Sequence, residues 1–339
     1  MEALIQQFVQ SLPLSLLFVY IAVSLSVLGK SADLLVDEAV DLSVRWGIPK
    51  FVVGSTIVSI GTTTPEAAVS VLAALRGKPD LALGNAVGSV ICNMGLIMGL
   101  GILIEPPILE RQVVYRQGWI QLGTALLLVI VSLPWRAPGS AFTDGGRLPE
   151  WAGFLFLGLL AAYLWYSIRR TSERRATYST RQETSKEAGT GLFVLMKLIG
   201  AVSLVVGSSW VLIPGVQEAA LRLKVAEGII AATIVAFGTS LPELVTMVRA
   251  SWRGHGELGA GNVIGANILN VLFVAGASAA VTAGGLIAAV HFFRLLFFLM
   301  LFVLLVFQVG ILYSGARLRR PVGVLLLATY LLTVTFSYS

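Results

Sequence analysis

Residues 56–94 read TIVSIGTTTPEAAVSVLAALRGKPDLALGNAVGSVICNM, and residues 233–271 read TIVAFGTSLPELVTMVRASWRGHGELGAGNVIGANILNV. The two stretches align without a gap. Glu243 stands 177 positions after Glu66, and Asn270 stands 177 positions after Asn93. Chance composition in apolar helices gives short echoes, but it does not reproduce G-T-x-x-P-E and G-N-x-x-G-x-x-I-x-N at one fixed offset. The chain is an internal duplication, and its function is to be sought where the two copies agree.

Around these stretches the sequence is too apolar for a soluble globule. Over 339 residues, 56% are hydrophobic, only 12% are charged and the mean hydropathy is +0.86; a soluble domain carries about 25% charged residues. Apolar runs near the ~20 residues that cross a bilayer recur along the chain. They predict an all-α membrane protein with ten transmembrane helices, at 11–29, 51–75, 81–104, 118–135 and 151–168, then 191–213, 227–250, 258–283, 292–313 and 321–337. Residues 1–168 form the first five-helix repeat, with its duplicated core at about 51–104. Residues 191–339 form the second, with its core at about 227–283. Between them, 169–190 is rich in Arg, Ser, Thr and Glu and reads as a polar linker. Segments 30–50 and 214–226 read as polar extensions or interfacial connections.

An odd number of spans per copy makes the second enter the membrane with opposite orientation, the inverted-repeat arrangement in which transporter sites sit at the midplane between copies. Basic residues set the direction. With the N-terminus outside and the linker cytoplasmic, 16 Lys and Arg residues face the cytoplasm and 7 face out, with Lys197 inside a span. The expected location is the plasma (inner) membrane. The N-terminus lacks the basic region of a signal peptide, so the first apolar run reads as a retained helix.

The motifs carry the chemistry. Pro65 and Pro242 have no N–H to bond the carbonyl four residues earlier, and Gly61 and Gly238 add backbone freedom beside them. Kinked or broken helices with free carbonyls are expected there, tolerable only beside protein or a watery cavity. Next to each stands a midspan carboxylate, Glu66 or Glu243, with no Lys or Arg in its span other than Arg249 at the cytoplasmic end of the second. A cation is the natural partner. Hydroxyls from Thr62, Thr63, Thr239 and Ser240, with carbonyls and carboxylates, are hard oxygen donors that suit calcium and other hard cations over zinc or copper. Ser89 and Asn93 lie four apart, on one helical face, and Asn270 matches Asn93 in the second copy.

Plainer readings stand beside these. Single hydroxyls in membrane helices often bond their own backbone. Gly84/Gly88 and Gly261/Gly265 form small-xxx-small faces that mainly serve packing. Asn85 and Asn262 read chiefly as interhelical hydrogen bonders. Asp33, Asp37, Glu38 and Asp41 read as a solvated helical face, with an ion-attracting vestibule as the alternative. Cys92 is the single cysteine and forms no internal disulfide, and His255 and His291 make no metal-ligand cluster. The basic clusters lack interleaved aromatics, so nucleic acid is not an expected partner. No nucleophile–His pair supports an enzyme, and no cofactor is implied. The partners read from the sequence are small cations and the lipid bilayer; it identifies no protein partner.

The duplicated G-T-S-x-P-E and G-N-x-x-G-S-N-I-x-[ND] patterns resemble the alpha repeats of the sodium/calcium exchanger family, within the cation/calcium exchanger superfamily. The resemblance covers about 40 residues in each copy and extends to the ten-span layout. It implies two five-helix inverted repeats, sodium-driven calcium exchange and alternating access. By position it makes Thr62, Thr63, Glu66, Ser89 and Asn93 the first copy's coordinating set, and Thr239, Ser240, Glu243 and Asn270 the second's. It adds the backbone carbonyls of Ser59 and Ala236. This sequence departs from the pattern at Asn270, where many members carry an acid, at Ala266, where many carry serine, and at Val90, which replaces an asparagine. The function read here is a secondary active antiporter exchanging calcium against sodium. The alternatives are proton-coupled antiport of calcium or another cation, and a passive cation channel.

Overall fold

The structure is a computed structural model that describes residues 2–108, 110–178, 191–223, 238–314 and 317–337. It is almost entirely helical. The helices are α1 (Glu2–Ser11), α2 (Leu14–Trp46), α3 (Lys50–Leu75), α4 (Pro79–Ile104), α5 (Arg111–Ser132), α6 (Glu150–Tyr178), α7 (Gly191–Arg222), α8 (Leu241–Trp252), α9 (Gly256–Ala280), α10 (Phe292–Tyr313) and α11 (Arg320–Ser337). Among the described residues, seven helices are long and apolar enough to cross a membrane: α2, α3, α4, α5, α7 (over Phe193–Ala219), α9 and α10. A shorter apolar stretch, Arg320–Leu332, lies in α11. The segment before α8, 224–237, lies outside the described residues, and with it the start of the span expected at 227–250.

The duplication is written into helix boundaries. Adding the same 177 positions carries α2 onto α7, the end of α3 at Leu75 onto the end of α8 at Trp252, and α4 onto α9 to within a residue. The turns between these helices repeat as well. Gly77 (φ 72°) and Gly254 (φ 74°) occupy the left-handed region that favours glycine, so each copy reverses direction at an equivalent residue. Past the duplicated core the copies diverge: α6 has 29 residues and α11 has 18.

Several boundaries differ from the expected ones. The first span does not run from 11 to 29. The chain breaks at Pro13 and α2 then continues for 33 residues to a left-handed cap at Gly47. Leu28, Ala32, Leu35, Val36, Ala39 and Leu42 form a buried stripe that carries the helix through the polar segment, because a charged face does not prevent burial of the opposite one. Likewise α7 passes through Pro214 into 214–222, and α6 extends to Tyr178, into the stretch read as a linker. Residues 179–190 of that stretch lie outside the described residues.

Burial places the copies' duplicated helices at the centre. The apolar windows of α9 and α4 are 83% and 72% buried, against 22% for α2. α2 packs along α7, and Ser31 Oγ meets Ser208 Oγ at 3.2 Å, two residues themselves 177 apart. At the loops, strands β1 (Gly146–Leu148) and β2 (Leu286–Ala288) pair antiparallel, and Arg294 donates to the Phe142 carbonyl at 2.7 Å. Elsewhere Ile108 bridges Arg317, and Arg317 donates to the Pro106 carbonyl at 2.7 Å.

Candidate functional site

Each copy positions its motif with a helix interruption. In α3 a π-helical turn at Gly54–Val58 precedes the α-helical run from Ser59 to Leu75. That run passes through Pro65 without the expected break. A proline removes one backbone bond, and the flanking turns carry the helix past it. In the second copy the break is real: Ser240 (φ −88°, ψ 7°) leaves the helix and α8 starts at Leu241. Pro242 then sits in a first turn, where its missing N–H would have had no partner anyway. A second pair of interruptions is symmetric. π-helical segments begin at Asn93 in α4 (Asn93–Met98) and at Asn270 in α9 (Asn270–Ala275), which shifts each amide out of regular register.

Two glycines let these helices touch. A Cβ at Gly265 would lie 2.5 Å from the Ser55 carbonyl oxygen and 2.6 Å from Ser59 Oγ, and Gly261 lies as close to the Phe51 carbonyl. The small-residue face of α9 therefore packs directly on α3, as its spacing predicts. The residues equivalent to that contact for Gly84 and Gly88, 228–236, lie outside the described residues.

The predicted site residues that fall among the described ones are buried. Ser59, Thr62, Thr63, Glu66, Ser89, Asn93, Glu243 and Asn270 are all fully buried, Ser240 is 1% exposed and Thr239 9%. Ala236 falls outside the described residues. The hydroxyl contacts are reciprocal between copies. Thr63 donates to Glu243 Oε1 and Ser240 donates to Glu66 Oε1, both at 3.4 Å. Thr62 donates to Asn262 Oδ1 at 3.1 Å, and Thr239 donates to Asn85 Oδ1 at 3.2 Å. Every one of these bonds joins a residue of one motif to the other copy's motif, so both carboxylates come to a single junction. The carboxylate contacts are long for hydroxyl donors, so each glutamate is held loosely.

Several polar atoms of the predicted site residues have no partner among the described residues. Glu66 Oε2, Glu243 Oε2, Ser89 Oγ and both amide atoms of Asn93 and Asn270 are buried without a hydrogen bond. Buried polar atoms are ordinarily satisfied, so two carboxylates with an unpartnered oxygen each, Glu66 and Glu243, make this junction the candidate site. Its donors are carboxylate, hydroxyl and amide oxygens, with no thiolate or imidazole among them. That set suits hard cations.

Sequence reasoning under-weighted two positioning groups. Asn85 donates to Ser70 Oγ at 2.9 Å and to the Glu66 carbonyl at 3.4 Å while it accepts from Thr239, so one side chain ties both copies together. Ser70 was not singled out, although it stands one turn after Glu66, where a helix repeats its face. Of the acids read as a solvated face, Asp37 and Asp41 are exposed, at 55% and 39%, while Asp33 and Glu38 are partly covered. Each is ion-paired: Asp33 with Arg249, Asp37 with Arg253 at 2.5 Å, Glu38 with Lys197 at 3.5 Å and Asp41 with Arg45 at 2.8 Å. Four neutralised acids leave little field to gather ions.

Known proteins are similar to this chain over most of its length. A family model described as sodium/calcium exchanger protein matches residues 16–169 and 193–339. The inner membrane protein YrbG of Escherichia coli is 35% identical over 260 residues, covering 75% of this chain and 76% of its own. The sodium/calcium exchanger MaX1 of Methanosarcina acetivorans is 28% identical over 288 residues, covering 77% and 82%. Among solved structures, the sodium-calcium exchanger NCX_Mj soaked with sodium and strontium superposes with a TM-score of 0.78 at 25% identity, covering 95% of this chain and 99% of that one.

Proposed function

Since this chain belongs to the sodium/calcium exchanger protein family, we propose that it is a secondary antiporter that moves calcium against sodium by alternating access. The observation that carries the reading is the pair of fully buried glutamates, one from each copy, whose contacts cross between the copies. An uncompensated carboxylate at the bilayer centre costs several kcal/mol, roughly 3 on insertion scales, so two at one junction demand positive charge. In this mechanism Glu66 and Glu243 bridge the calcium ion. Sodium ions take neutral oxygen cages drawn from Thr62, Thr63, Thr239, Ser240, Ser89, Asn93 and Asn270, with the Ser59 and Ala236 carbonyls. Either load neutralises the glutamates and permits the swing between outward-open and inward-open states. The empty site keeps its charge and resists occlusion, which enforces exchange over leak.

The chain crosses the membrane ten times as two inverted five-helix repeats, with its N-terminus outside and the 169–190 linker in the cytoplasm. Support comes from the loop contacts. β1 with β2, Phe142 with Arg294, Ile108 with Arg317 and Asp33 with Arg249 each join segments that the basic-residue count puts on one side. The test of function is uptake of radioactive calcium into sodium-loaded vesicles. Uptake that collapses when the sodium gradient is removed is the expected result, and uptake indifferent to it overturns sodium coupling.

Proton coupling is the second reading. It is favoured by Glu66 Oε2 and Glu243 Oε2, buried carboxylate oxygens that can take a proton as well as a metal ion. Calcium uptake driven by a pH gradient in sodium-free buffer would select it.

A further inference from the structure

A second group of buried polar side chains belongs to neither glutamate. Gln117 and Gln121 stand one turn apart on α5 and are 4% and 2% exposed, and Asn267 of α9 is 1% exposed. Asn267 Nδ2 donates to Gln121 Oε1 at 3.3 Å. Tyr163 of α6 donates to the Ser55 carbonyl at 3.4 Å, inside the π-helical turn of α3, and its hydroxyl also faces Ser167 and Gln117. Helices α3, α5, α6 and α9 thus meet through polar groups. Yet Gln117 Oε1, Gln121 Nε2, Asn267 Oδ1 and Arg116 Nε are buried with no partner among the described residues. Exchanging oxygen for nitrogen in the Gln121–Asn267 pair leaves the same imbalance, an unmet donor and an unmet acceptor. The duplication does not supply this cluster. At the same offset of 177 positions, Asn267 corresponds to Val90, Gln117 to Arg294 and Gln121 to Phe298.

We infer that this cluster is a hydration site, an inlet of bound water that runs between α5, α6 and α9 from Arg116 to Asn267. The unmet groups select the ligand. A cation would answer Gln117 Oε1 and Asn267 Oδ1 but would face the Gln121 amide N–H and the Arg116 guanidinium. An anion would answer those donors and face the two oxygens. Water both donates and accepts, so it answers all of them, as buried water does for polar groups that protein leaves unmet. The inlet opens at Arg116, which is half-buried and packs its guanidinium 5.4 Å from the centre of the Tyr166 ring. This is the end of α5 that the basic-residue count puts in the cytoplasm. It closes beyond Gln121, where the next buried positions on α5 are Ala125 and Leu128. No carboxylate or imidazole is among these groups, so the water reaches no acid to which it could deliver a proton. Its role is support: it ties α3 at Ser55 and α9 at Asn267 to α5 and α6, on one copy's side alone.

The experiment is X-ray hydroxyl-radical footprinting of the full chain in lipid nanodiscs, read by mass spectrometry. Radicals formed from bound water oxidise the side chains beside it, even where bulk solvent does not reach. Tyr163 is 6% exposed, and Phe156 on the same helix is fully buried and serves as the dry control. The expected result is oxidation of Tyr163 well above that of Phe156, equal in sodium, potassium and choline buffers. That signal should fall to the Phe156 level when Gln117→Met is combined with Gln121→Met, which removes both amides at near-constant volume. Gln117→Met alone should lower it too, and it carries the test if the double variant does not fold. Tyr163 oxidised no more than Phe156 in the unaltered chain overturns the inference. So does oxidation that changes with sodium or potassium, which would make the ligand a cation. Oxidation that stays unchanged in the variants shows that the amides hold no water, and it overturns the inference as well.

Discussion

The two copies make the same site from unequal parts. Asn85 in the first copy is held by Ser70 Oγ and the Glu66 carbonyl and receives the Thr239 hydroxyl. Its equivalent, Asn262, receives the Thr62 hydroxyl, but its Nδ2 has no partner among the described residues. The cause is a single position: Ser70 corresponds to Met247, which is fully buried and cannot accept that bond. The same asymmetry appears at Ser89 and Ala266. The carboxylates, the motif hydroxyls and the π-helical starts at Asn93 and Asn270 are matched, and the scaffolding around them is not. Across the two copies the carboxylates and their hydroxyl contacts match, while the supports around them differ.

The largest effects should be the symmetric ones. Glu66→Gln and Glu243→Gln are each expected to reduce calcium flux by at least about 100-fold, since leaving one charge of a buried pair uncompensated costs on the order of 3–5 kcal/mol. Unequal losses in the two variants would show that one copy alone holds the ion. The supports should then separate the copies. Asn85→Ala removes three contacts and Asn262→Ala one, so thermal unfolding in detergent should register about 2–3 kcal/mol for the first and about 1 kcal/mol for the second. Equal losses would break the comparison. Met247→Ser offers Asn262 Nδ2 an acceptor but hollows a fully buried site, so it should cost a net of about 1–4 kcal/mol, about 1 kcal/mol less than Met247→Ala. The smallest effect belongs to the surface. Arg249 and Asp33 are 31% and 27% exposed, so Arg249→Ala should cost only about 1 kcal/mol of stability and leave calcium affinity unchanged.

The sequence made the duplication, the helical class and the convergence of two glutamates legible, because an ungapped repeat fixes which residues are equivalent before any coordinates exist. Hydropathy also located α10 at 292–313, where apolar character stops sharply at both ends. It misjudged α2 and α7, whose amphipathic extensions keep one buried face while the average over all faces turns polar, and it ended α6 short of Tyr178. At Pro65 local rules expect a kinked or broken helix; of these the break is absent, because neighbouring turns carry the helix past the missing bond. The ion pairs from α2 were illegible for a different reason. Asp33 and Arg249 lie 216 residues apart, and only the packed fold brings them together. Ser70 was a missed opportunity, since its spacing from Glu66 and its hydroxyl were both visible in the sequence.

Equilibrium binding tests the central claim most directly. Calorimetric titration of the purified chain with calcium in sodium-free buffer should give one ion per chain, and either Glu66→Gln or Glu243→Gln alone should abolish that binding. Full-strength binding retained in either variant would contradict an ion shared between the two copies.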